Sequence, residues 1–400
     1  MASKYLMTLH RKHIFNPVAF GVFFSGFGLA QYASWWVGTI CLLPFVLLGG
    51  LLVVRKLRRE DFVFSFLAAE LITVAVCSTF NGNNVITGIQ KAVVESPLFF
   101  FAFVMLTEPL TTPPTKMLQI YYGVLVGIIF APQVSIFGWR SAPETALLIG
   151  NIFSYLVSPK SKLFLRLAEK LQAAPGIFDY VFSAPKKFTY TPGQYMEWTL
   201  AHPHPDSRGD RRYFTLASSP TEDKIILGIR FNQPSSSFKN ALSTIKPENE
   251  IVASQIAGDF VLPKDPEKKL VFIAGGIGVT PFRSMIKYLM DTQQKRPIVL
   301  FYAGKSPDDF AYKDIFDRAA TDIGIKVVYT ITDTKTIYPK WSGKTGRVDT
   351  AMIEAEVPDY RERFFYLSGP NSMVKSDEDI LKAMGVNEKQ IKKDFFPGFV

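Results

Sequence analysis

The sequence is poor in the residues that bind metals and form disulfides. Only two cysteines, Cys41 and Cys77, occur in 400 residues, and both lie inside apolar runs. An iron–sulfur cluster needs four thiolates, so we expect none in this chain, and no CxxC spacing indicates zinc binding or redox exchange. Of the four histidines, His10 and His13 precede the first apolar run instead of lying on facing helices. We therefore expect no haem between membrane helices.

Long apolar runs are scarce after Pro159, and charge is scarce before it. The chain is 48% hydrophobic and 14% aromatic, so this split predicts a membrane half followed by a soluble half. The formal net charge of +10 would suit nucleic acid. However, much of the basic excess flanks the apolar runs, where lysine and arginine mark the cytoplasmic side of a membrane. We therefore expect a lipid environment and no nucleic-acid partner.

Six apolar stretches are candidates for membrane spans, which need about 17–25 residues each. They cover residues 17–34, 36–54, 62–80, 92–107, 117–136 and 143–158. The fourth and sixth are short enough to be re-entrant or tilted. The basic flanks place both ends of a six-span domain inside, with Trp35 and Trp36 at the outer interface. This predicts a multi-pass protein of the cell (inner) membrane with a cytoplasmic soluble half.

Acidic residues in these stretches have two interpretations. Glu70, near the middle of the third, is either a neutral acid hydrogen-bonded to a neighbouring helix or part of an ion or proton path. Glu95 and Glu108 lie near the ends of the fourth, where interfacial placement is the simpler interpretation. The first run has no cleavage site for a signal peptide. Its abrupt start suggests a shortened relative of a longer protein.

Two motifs of the apolar half carry a family resemblance. RKHIFNPVAFG at 11–21 and FVMLTEPLTTPP at 103–114 resemble segments of one family of membrane proteins, the D component of Rnf complexes and the B component of Nqr complexes. The resemblance covers about residues 8–158 and implies electron transfer through flavins in an ion-translocating assembly. The covalent flavin site of that family is a threonine in a Ser-Gly-Ala-Thr stretch, which this sequence lacks. A covalent flavin is therefore not implied, and ion pumping stays open.

The pattern changes after a basic connector, SPKSKLFLRLAEKL. Short β runs separated by turn residues (FDYVFSA, QYMEWTL, RYFTLAS, IILGIRF, EIVASQI) predict a small antiparallel barrel. Past residue 268, strand-like runs (KLVFIAG, PIVLFYAG, IKVVYTIT, RFFYLSG) alternate with helical patterns, which predicts a doubly wound α/β domain with a parallel sheet. We expect three domains: transmembrane helices at 1–158, the β-barrel at 159–264 and the α/β domain at 265–400.

The stretch LVFIAGGIGVTPFRSMI at 270–286 joins a buried strand to a helix through a glycine-rich turn. Gly275, Gly276 and Gly278 allow a ligand to approach the backbone. Thr280 is placed to cap the helix, and Pro281 suits its first position. The start of the helix then offers free N–H groups to a phosphate. The turn is not the GxGxxG fingerprint.

Five motifs, in order, resemble those of the ferredoxin–NADP reductase family, which has a flavin-binding barrel followed by a pyridine-nucleotide domain. They are PGQY, RYFTLAS at 212–218, GGIGVTP at 275–281, LSGPNSM at 367–373 and DFFPGF at 394–399. The resemblance covers residues 176–400. It implies FAD and NAD(P)H as cofactors and an NAD(P)H-dependent FAD oxidoreductase.

The resemblance assigns the flavin site to RYFTLAS and to a later serine pair. Arg212 would pair with the flavin pyrophosphate, whose geometry suits a guanidinium. Phe214 would stack near the isoalloxazine, where many relatives have tyrosine, with Tyr213 beside it. Thr215 would reach the flavin N5 edge. The last sites implied are Ser236 and Ser237, which would cap a short helix against the phosphates. The arginine and the long 202–211 loop favour FAD over FMN.

The nucleotide site follows from the later motifs. The residues that would cradle the nicotinamide nucleotide are Gly275, Gly276, Gly278, Thr280 and Pro281. Gly369 and Pro370 would form the turn beneath the nicotinamide. Ser368 replaces a cysteine common in relatives and can still donate a hydrogen bond near the transferred hydride. Phe399 either covers the flavin until the nicotinamide displaces it or packs as a structural tail.

Neither the nucleotide nor a metal is strongly indicated. Lys305 and Ser306 could hold a 2′-phosphate, yet two aspartates, Asp308 and Asp309, follow them, and NADH is slightly favoured. His202 and His204 lie in a proline-rich polar loop without a third ligand nearby, so we expect no metal site.

The sequence predicts a membrane-bound flavoprotein that takes hydride from cytoplasmic NAD(P)H onto FAD and passes electrons onward. The acceptor would be a quinone, another flavin or an iron–sulfur protein. Two alternatives remain open. One is a transporter or structural subunit with a redox-sensing flavin module, and the other is a soluble-type flavin reductase tethered to the membrane.

Overall fold

The computed structural model describes most of the chain, which divides into two compact units, Met1–Lys162 and Leu163–Val400. The described residues are 8–9, 12–29, 34–35, 37, 39–57, 59–108, 111–136, 139–158, 163–184, 189–206, 209–232, 234–247, 249–333, 335–336 and 338–395. Four residues named above, His10, Trp36, Pro159 and Phe399, lie outside them.

The first unit is helical, as its apolar runs predict. The helices are α1 (Pro17–Leu29), α2 (Leu43–Leu57), α3 (Glu60–Phe80), α4 (Val85–Val94), α5 (Leu98–Phe100), α6 (Lys116–Phe130) and α7 (Pro143–Val157). A π-helical turn, Phe101–Met105, continues α5. Short hairpins pair β1 (Thr8–Leu9) with β2 (Lys12–His13) and β3 (Ser135–Ile136) with β4 (Trp139–Arg140). Aromatic rings form much of the core, with Phe66 packing against both Phe101 and Phe130.

Fewer helices reach membrane-spanning length than the six predicted stretches. Among the described residues, α3 is the one helix long and apolar enough to cross a membrane, at 21 residues. Helix α4 and the segment Leu98–Met105 qualify as a pair that is bent by 61°. The helices α1 and α6 and the segment Leu43–Arg55 are apolar but shorter. Length and composition therefore support one or two of the six spans.

The stretch 92–107, which the sequence allows to be re-entrant or tilted, contains a sharp bend. Helix α4 ends at Val94, and a new helical segment begins at Leu98 with Pro97 as its N-cap. Proline lacks a backbone N–H and disfavours helical geometry in the residue before it, here Ser96. The helix therefore breaks and bends at this point.

Glu70 lies where α3 and α6 pack closely. A Cβ on Gly127 would be 2.5 Å from the Phe66 carbonyl oxygen, so only glycine allows this approach. Glu70 is fully buried, and neither carboxyl oxygen has a hydrogen-bond partner among the described residues. The sequence-based interpretation of a hydrogen-bonded neutral acid is therefore not supported by the contacts in this part of the chain.

The two motifs of the first unit meet in one hydrogen-bond network. Asn16 Nδ2 donates to Glu108 Oε2 (2.6 Å), and the Asn16 N–H donates to Asn151 Oδ1 (2.7 Å). Asn151 Nδ2 donates in turn to the Tyr122 hydroxyl (3.0 Å). Glu108 therefore links α1 to the segment after α5, whereas Glu95 is exposed at the end of α4.

The second unit begins with the predicted antiparallel sheet, to which most of the segment interpreted as a connector adds the first strand. Its strands are β5 (Leu163–Ala174), β6 (Ile177–Ser183), β7 (Tyr195–Thr199), β8 (Arg211–Thr215), β9 (Ile225–Arg230) and β10 (Glu250–Ala257), in the order β8-β7-β10-β5-β6-β9. A short helix, α8 (Ser237–Ser243), precedes β10. Just beyond β8, the Ala217 N–H donates to the Ile226 carbonyl (2.9 Å), which brings the two edge strands together. Trp198 and Phe182 pack inside.

A parallel sheet follows, as the alternating pattern predicts. Its strands are β11 (Leu270–Gly275), β12 (Ile298–Gly304), β13 (Lys326–Ile331), β14 (Lys344–Thr345), β15 (Phe364–Gly369) and β16 (Ile391–Phe395), in the order β14-β13-β12-β11-β15-β16. The helices are α9 (Thr280–Asp291), α10 (Lys313–Asp322), α11 (Thr350–Glu356) and α12 (Asn371–Ala383). Apolar clusters cover both faces of the sheet. The strand order reverses between β11 and β15, where such sheets bind ligands.

Candidate active site

The glycine-rich turn lies between β11 and α9, as predicted. Gly276 has a φ of 53°, a left-handed conformation that favours glycine. A Cβ on Gly278 would lie 2.6 Å from the Gly369 Cα, and one on Gly275 would collide with the Met373 sulfur. Gly278 needs glycine because the backbone at the end of β15 packs directly on the turn, whereas a Cβ on Gly275 would displace the flexible end of the Met373 side chain.

The predicted capping role of Thr280 is wrong. A 3₁₀ turn, Gly276–Val279, runs straight into α9, so the N-cap is Val279, whose backbone is already helical. The Thr280 hydroxyl donates to the Ile277 carbonyl (3.2 Å) instead. Pro281 lies in the first turn of α9, as predicted.

A cavity of about 560 Å³ opens at the carboxyl ends of the parallel strands, a size typical of sites for small ligands and cofactors. Its lining includes three residues of the implied nucleotide site, Gly275, Gly276 and Pro370. The other lining residues are Arg230, Ala303, Gly304, Lys305, Asp309, Thr332, Arg347, Val348, Asp349, Ser372, Met373, Ser376, Asp377 and Ile380. The arginines and Asp377 were not expected here from the sequence.

Two carboxylates of this cavity are already used by the protein. Asp309 Oδ1 accepts from Arg230 Nη2 (3.0 Å), and Asp309 Oδ2 accepts from the Lys305 N–H (2.9 Å). Ser306 and Asp309 form a capping box around their own turn. Asp349 accepts from the Met352 N–H (2.8 Å) at the start of α11. Lys305 contributes a cationic side chain to the cavity wall, whereas the Ser306 side chain caps the turn that follows it.

The end of β15 places Ser368 next to the C-terminal strand. Ser368 is fully buried, and its hydroxyl has no hydrogen-bond partner among the described residues. In the parallel register, Ser368 is paired with Asp394 of β16. Gly369 follows Ser368 and lies close beneath the turn, since a Cβ on Gly369 would be 3.3 Å from the Gly275 backbone.

Asp394 connects the two halves of the site, although it was not among the residues expected from the sequence. The Thr215 hydroxyl donates to Asp394 Oδ2 (3.5 Å). Burial raises the pKa of Asp394 to about 6, and the hydrogen bond from Thr215 acts in the opposite direction. The one feature of the sequence that pointed to Asp394 is its place as the first residue of the DFFPGF motif. An ionisable group with this pKa between two site residues is a functional candidate.

The residues assigned to the flavin phosphates surround a carboxylate. Arg212 Nη2 donates to both oxygens of Asp206 (2.7 and 2.8 Å). The Asp206 N–H donates to Ser237 Oγ (2.9 Å), and Ser236 accepts from the Lys239 N–H (3.3 Å) to cap α8. Arg212 thus binds an anionic group, the Asp206 carboxylate, with the bidentate geometry that also suits a phosphate. Ser237 contacts the backbone of the same aspartate.

The aromatic residues beside this cluster differ in exposure. Phe214 is half-buried, and its ring lies 5.7 Å from that of Phe238. Tyr213 is 47% exposed and donates its hydroxyl to Glu197 Oε2 (2.8 Å). A half-buried ring next to Thr215 and close in sequence to an anion-binding arginine fits the isoalloxazine and pyrophosphate of FAD. These residues therefore fit that cofactor.

Buried polar contacts join the barrel to the α/β domain. The Tyr312 hydroxyl donates to Asp179 of β6, and it lies so near Gly228 of β9 that a Cβ there would be 2.6 Å from it. Tyr312 has a φ of 60°, an uncommon conformation for a bulky residue. Arg283 donates to both oxygens of Glu222 (2.6 and 3.0 Å). These contacts fix the glycine turn relative to the flavin side.

The two histidines of the proline-rich loop differ in their contacts, and the His202 ring packs edge-on against Phe238. His202 Nδ1 lies 2.7 Å from the Leu200 carbonyl oxygen, and His204 is exposed. Across the residues that the structure describes, no three His, Cys, Asp or Glu side chains come together as a metal site would require.

Comparisons with known proteins agree with this architecture. Residues 272–379 match the family model described as oxidoreductase NAD-binding domain. The chain is 27% identical over 224 residues to the glycine betaine monooxygenase reductase subunit of Chromohalobacter salexigens, covering 55% of this chain and 59% of that protein. It is 28% identical over 200 residues to the F component of the Na(+)-translocating NADH-quinone reductase of Neisseria gonorrhoeae, covering 47% and 49%. The chain thus spans about half the length of these relatives.

Solved structures show the same fold. The Amycolatopsis cytochrome P450 reductase GcoB superposes with a TM-score of 0.52 at 22% identity, covering 59% of this chain and 69% of that one. A flavohemoglobin from Malassezia yamatoensis gives 0.54 at 17% identity, covering 87% and 98%. These likenesses show the fold of this part of the chain, and the family match identifies an oxidoreductase NAD-binding domain at 272–379.

Proposed function

We propose that this chain takes hydride from cytoplasmic NAD(P)H onto FAD and passes the electrons to an acceptor in a membrane or on a partner protein. One observation carries the proposal. Asp394, paired with Ser368 at the end of the nucleotide sheet, accepts a hydrogen bond from Thr215 of the barrel (3.5 Å). Asp394 is therefore hydrogen-bonded to the residue assigned to the flavin N5 edge, and it lies beside the strand residue assigned to the hydride donor.

Each residue of the site has a separate task in this proposal. Bound FAD would accept the hydride and release electrons singly. Gly275, Gly276 and Gly278 would let the nucleotide lie against the backbone, and Gly369 would leave room for the nicotinamide. Arg212 would hold the pyrophosphate. Asp394, whose pKa is about 6, could hold or release a proton near working pH beside the Thr215 hydroxyl.

We propose that the first unit lies in the membrane. Among the described residues, 24 large apolar side chains are exposed, and 22 of them belong to this unit. Exposed apolar surface of this extent marks a lipid or protein contact. The two motifs that resemble Rnf and Nqr membrane proteins meet in its interior. A multi-pass arrangement, with the second unit in the cytoplasm, fits both features.

The acceptor is proposed by chemical class. The relatives include reductase subunits that work with other components, so the electrons would leave the FAD toward a quinone, a second flavin or an iron–sulfur protein. Because the basic flanks of the apolar runs favour a cytoplasmic second unit, the acceptor would be reached through the first unit or from the same side.

A second candidate function rests on Glu70. A carboxyl group buried in the middle of an apolar helix, with neither oxygen hydrogen-bonded in the described part of the chain, is compatible with an ion or proton path. In that case, the reductase module would sense redox state. A Glu70→Gln variant that abolishes ion flux in proteoliposomes, but leaves reduction of the flavin by NADH unchanged, would favour transport through Glu70. Unchanged ion flux would remove this candidate.

The direct test uses the full chain in detergent, reconstituted with FAD. Reduction by NADH or NADPH should be followed by reoxidation with a lipid-soluble quinone. Electron delivery to the quinone in liposomes supports a membrane acceptor. Reduction of water-soluble acceptors only would favour the tethered reductase. Ion flux without nucleotide oxidation would favour the transporter.

A further inference from the structure

One carboxylate of the nucleotide cavity has no task inside the protein. Asp377 of α12 lines the cavity and is 7% exposed. Its Oδ2 atom has no hydrogen-bond partner among the described residues. A buried polar oxygen without a partner is costly, and such groups in native proteins usually meet a ligand or water. The Oδ2 atom of Asp377 is therefore able to accept a hydrogen bond from a bound ligand.

The other two carboxylates of the cavity differ in this respect. Asp309 is paired with Arg230 and with backbone N–H groups, and Asp349 caps α11. Burial raises the pKa of Asp377 to about 7, with Arg347 as an opposing positive neighbour. Asp377 is therefore an ionisable acid that lines the cavity and whose Oδ2 atom receives no hydrogen bond from the described residues.

The position of Asp377 indicates which part of a nucleotide it meets. Its charged neighbour Arg347 follows β14, the edge strand, which is separated from β11 by β13 and β12. Neighbouring strands lie about 4.8 Å apart, so the wall at Arg347 is three strands from the glycine turn at the end of β11. Asp377 lies between the two, because it is one helical turn after Met373, which packs against Gly275. The nicotinamide is assigned to the turn, and the adenosine end would extend toward Arg347 and Asp377.

The charges of the cavity weigh against a second phosphate. The cationic side chains are Arg230, Lys305 and Arg347, and the anionic side chains are Asp309, Asp349 and Asp377. With Asp377 ionised, these sum to zero, so an added phosphate gains no net attraction. A ribose hydroxyl can donate to a carboxylate, whereas a phosphate in its place offers only acceptor oxygens.

We propose that Asp377 accepts a hydrogen bond from the adenosine ribose hydroxyls and thereby makes the cavity select NADH over NADPH. This assignment rests on the proposed function, because it concerns the same nucleotide site. It adds a selecting residue on α12 to the strand-end residues considered from the sequence. Asp377 acts on binding and takes no part in hydride transfer.

The test measures binding without hydride transfer. The full chain, loaded with FAD in detergent, is titrated calorimetrically with ADP-ribose and with 2′-phospho-ADP-ribose. We expect the unmodified protein to favour ADP-ribose by about tenfold or more, the range given by a hydrogen bond to a charged group. Asp377→Asn should reduce that ratio at least about fivefold, mainly by strengthening binding of the phosphorylated ligand.

Two further variants make the outcome specific. Asp379→Asn removes the same charge from an exposed position on the same helix, and it should leave the ratio unchanged. Asp377→Glu keeps the charge, so it should still reject the 2′-phosphate even if ADP-ribose binds less well. Equal flavin absorbance in all proteins shows that they are folded.

Several results would overturn the assignment. They are an unchanged ratio in Asp377→Asn, equal weakening of both ligands, or a preference of the unmodified protein for the phosphorylated ligand. If NADH still reduces the flavin in that case, only the role of Asp377 fails. If neither ligand binds and neither nucleotide reduces the flavin, the proposed function fails with it.

Discussion

Thr215 and Asp394 are 179 residues apart in the chain, yet their side chains meet where the barrel contacts the parallel sheet. The contact joins β8 to β16, and the strand register places Ser368 beside Asp394. A carboxylate at this junction lies between the groups assigned to the flavin and to the nicotinamide. The first prediction follows from its burial.

Replacing Asp394 with Asn should make the protein more stable at neutral pH and less active. The pKa of Asp394 is about 6 in the folded state against an ordinary 3.8. The folded state therefore binds this proton more tightly, and stability falls as pH rises from about 4 to 6. Asp394→Asn should remove this slope and gain up to about 3 kcal/mol at pH 7. Thermal unfolding across pH 4–8 measures it.

The same variant should slow reduction of the flavin by about tenfold or more, since it removes the ionisable group beside Thr215. Stopped-flow reduction by NADH measures this rate. Full activity of Asp394→Asn, together with the expected gain in stability, would make Asp394 a structural residue and would remove it from the site.

Alanine at Gly278 should damage the protein more than alanine at Gly275. A Cβ on Gly278 meets the backbone of Gly369 at 2.6 Å, whereas a Cβ on Gly275 meets the flexible end of Met373. Backbone cannot move as cheaply as a methionine side chain. We expect Gly278→Ala to cost about 1–3 kcal/mol of stability and to weaken nucleotide binding. Equal losses in the two variants, measured by denaturation and by ADP-ribose titration, would contradict this account of the turn.

The hydroxyl of Tyr312 should contribute more to the free energy of unfolding than the hydroxyl of Tyr329. Both donate to an aspartate, but Asp179 is buried and Asp317 is exposed to solvent. Tyr312→Phe leaves a buried carboxyl oxygen without its donor, so we expect a loss of about 1–3 kcal/mol, and less than about 1 kcal/mol for Tyr329→Phe. Chemical denaturation of the two variants provides the comparison. Similar small losses would show that the Tyr312 contact does not hold the domains together.

Arg212 should be required for flavin binding, whereas the neighbouring Arg211 should not. Arg212 is 12% exposed in its side chain and holds Asp206, while Arg211 is 47% exposed and lies 3.6 Å from Glu197. Arg212→Ala should lower FAD affinity at least about tenfold, and Arg212→Lys should not restore it, because lysine lacks the bidentate geometry. Flavin content after dialysis, with Arg211→Ala as the control, measures the effect. Retained FAD in Arg212→Ala would place the pyrophosphate elsewhere.

Local patterns were sufficient to predict much of the second unit. The buried run before Gly275 and the turn residues after it predict a strand, a tight turn and a helix without any tertiary information. The alternation of strands and helices likewise predicts the parallel sheet. The bend at Pro97 also has a local signal, because a proline inside an apolar run interrupts a helix. The hydropathy of the run hides that signal, since it stays high on both sides of the proline.

The residues that were missed depend on contacts between distant parts of the chain. Asp394 gains its role from Thr215, and Arg230 enters the nucleotide cavity through its pairing with Asp309 across 79 positions. Asp377 has the periodicity of a core position on α12, between the buried Val374 and Leu381. Nothing local indicates that this position opens into a cavity. Thr280 failed as a cap because the preceding 3₁₀ turn already provides helical backbone.

The most direct test of the central claim is an anaerobic titration of the full chain, purified in detergent with FAD, against NADH and NADPH. Visible absorption should show a bound flavin that is bleached by about one equivalent of nucleotide, with NADH acting at the lower concentration. A colourless protein that does not take up FAD, or a bound flavin that neither nucleotide reduces, would contradict the proposed oxidoreductase function.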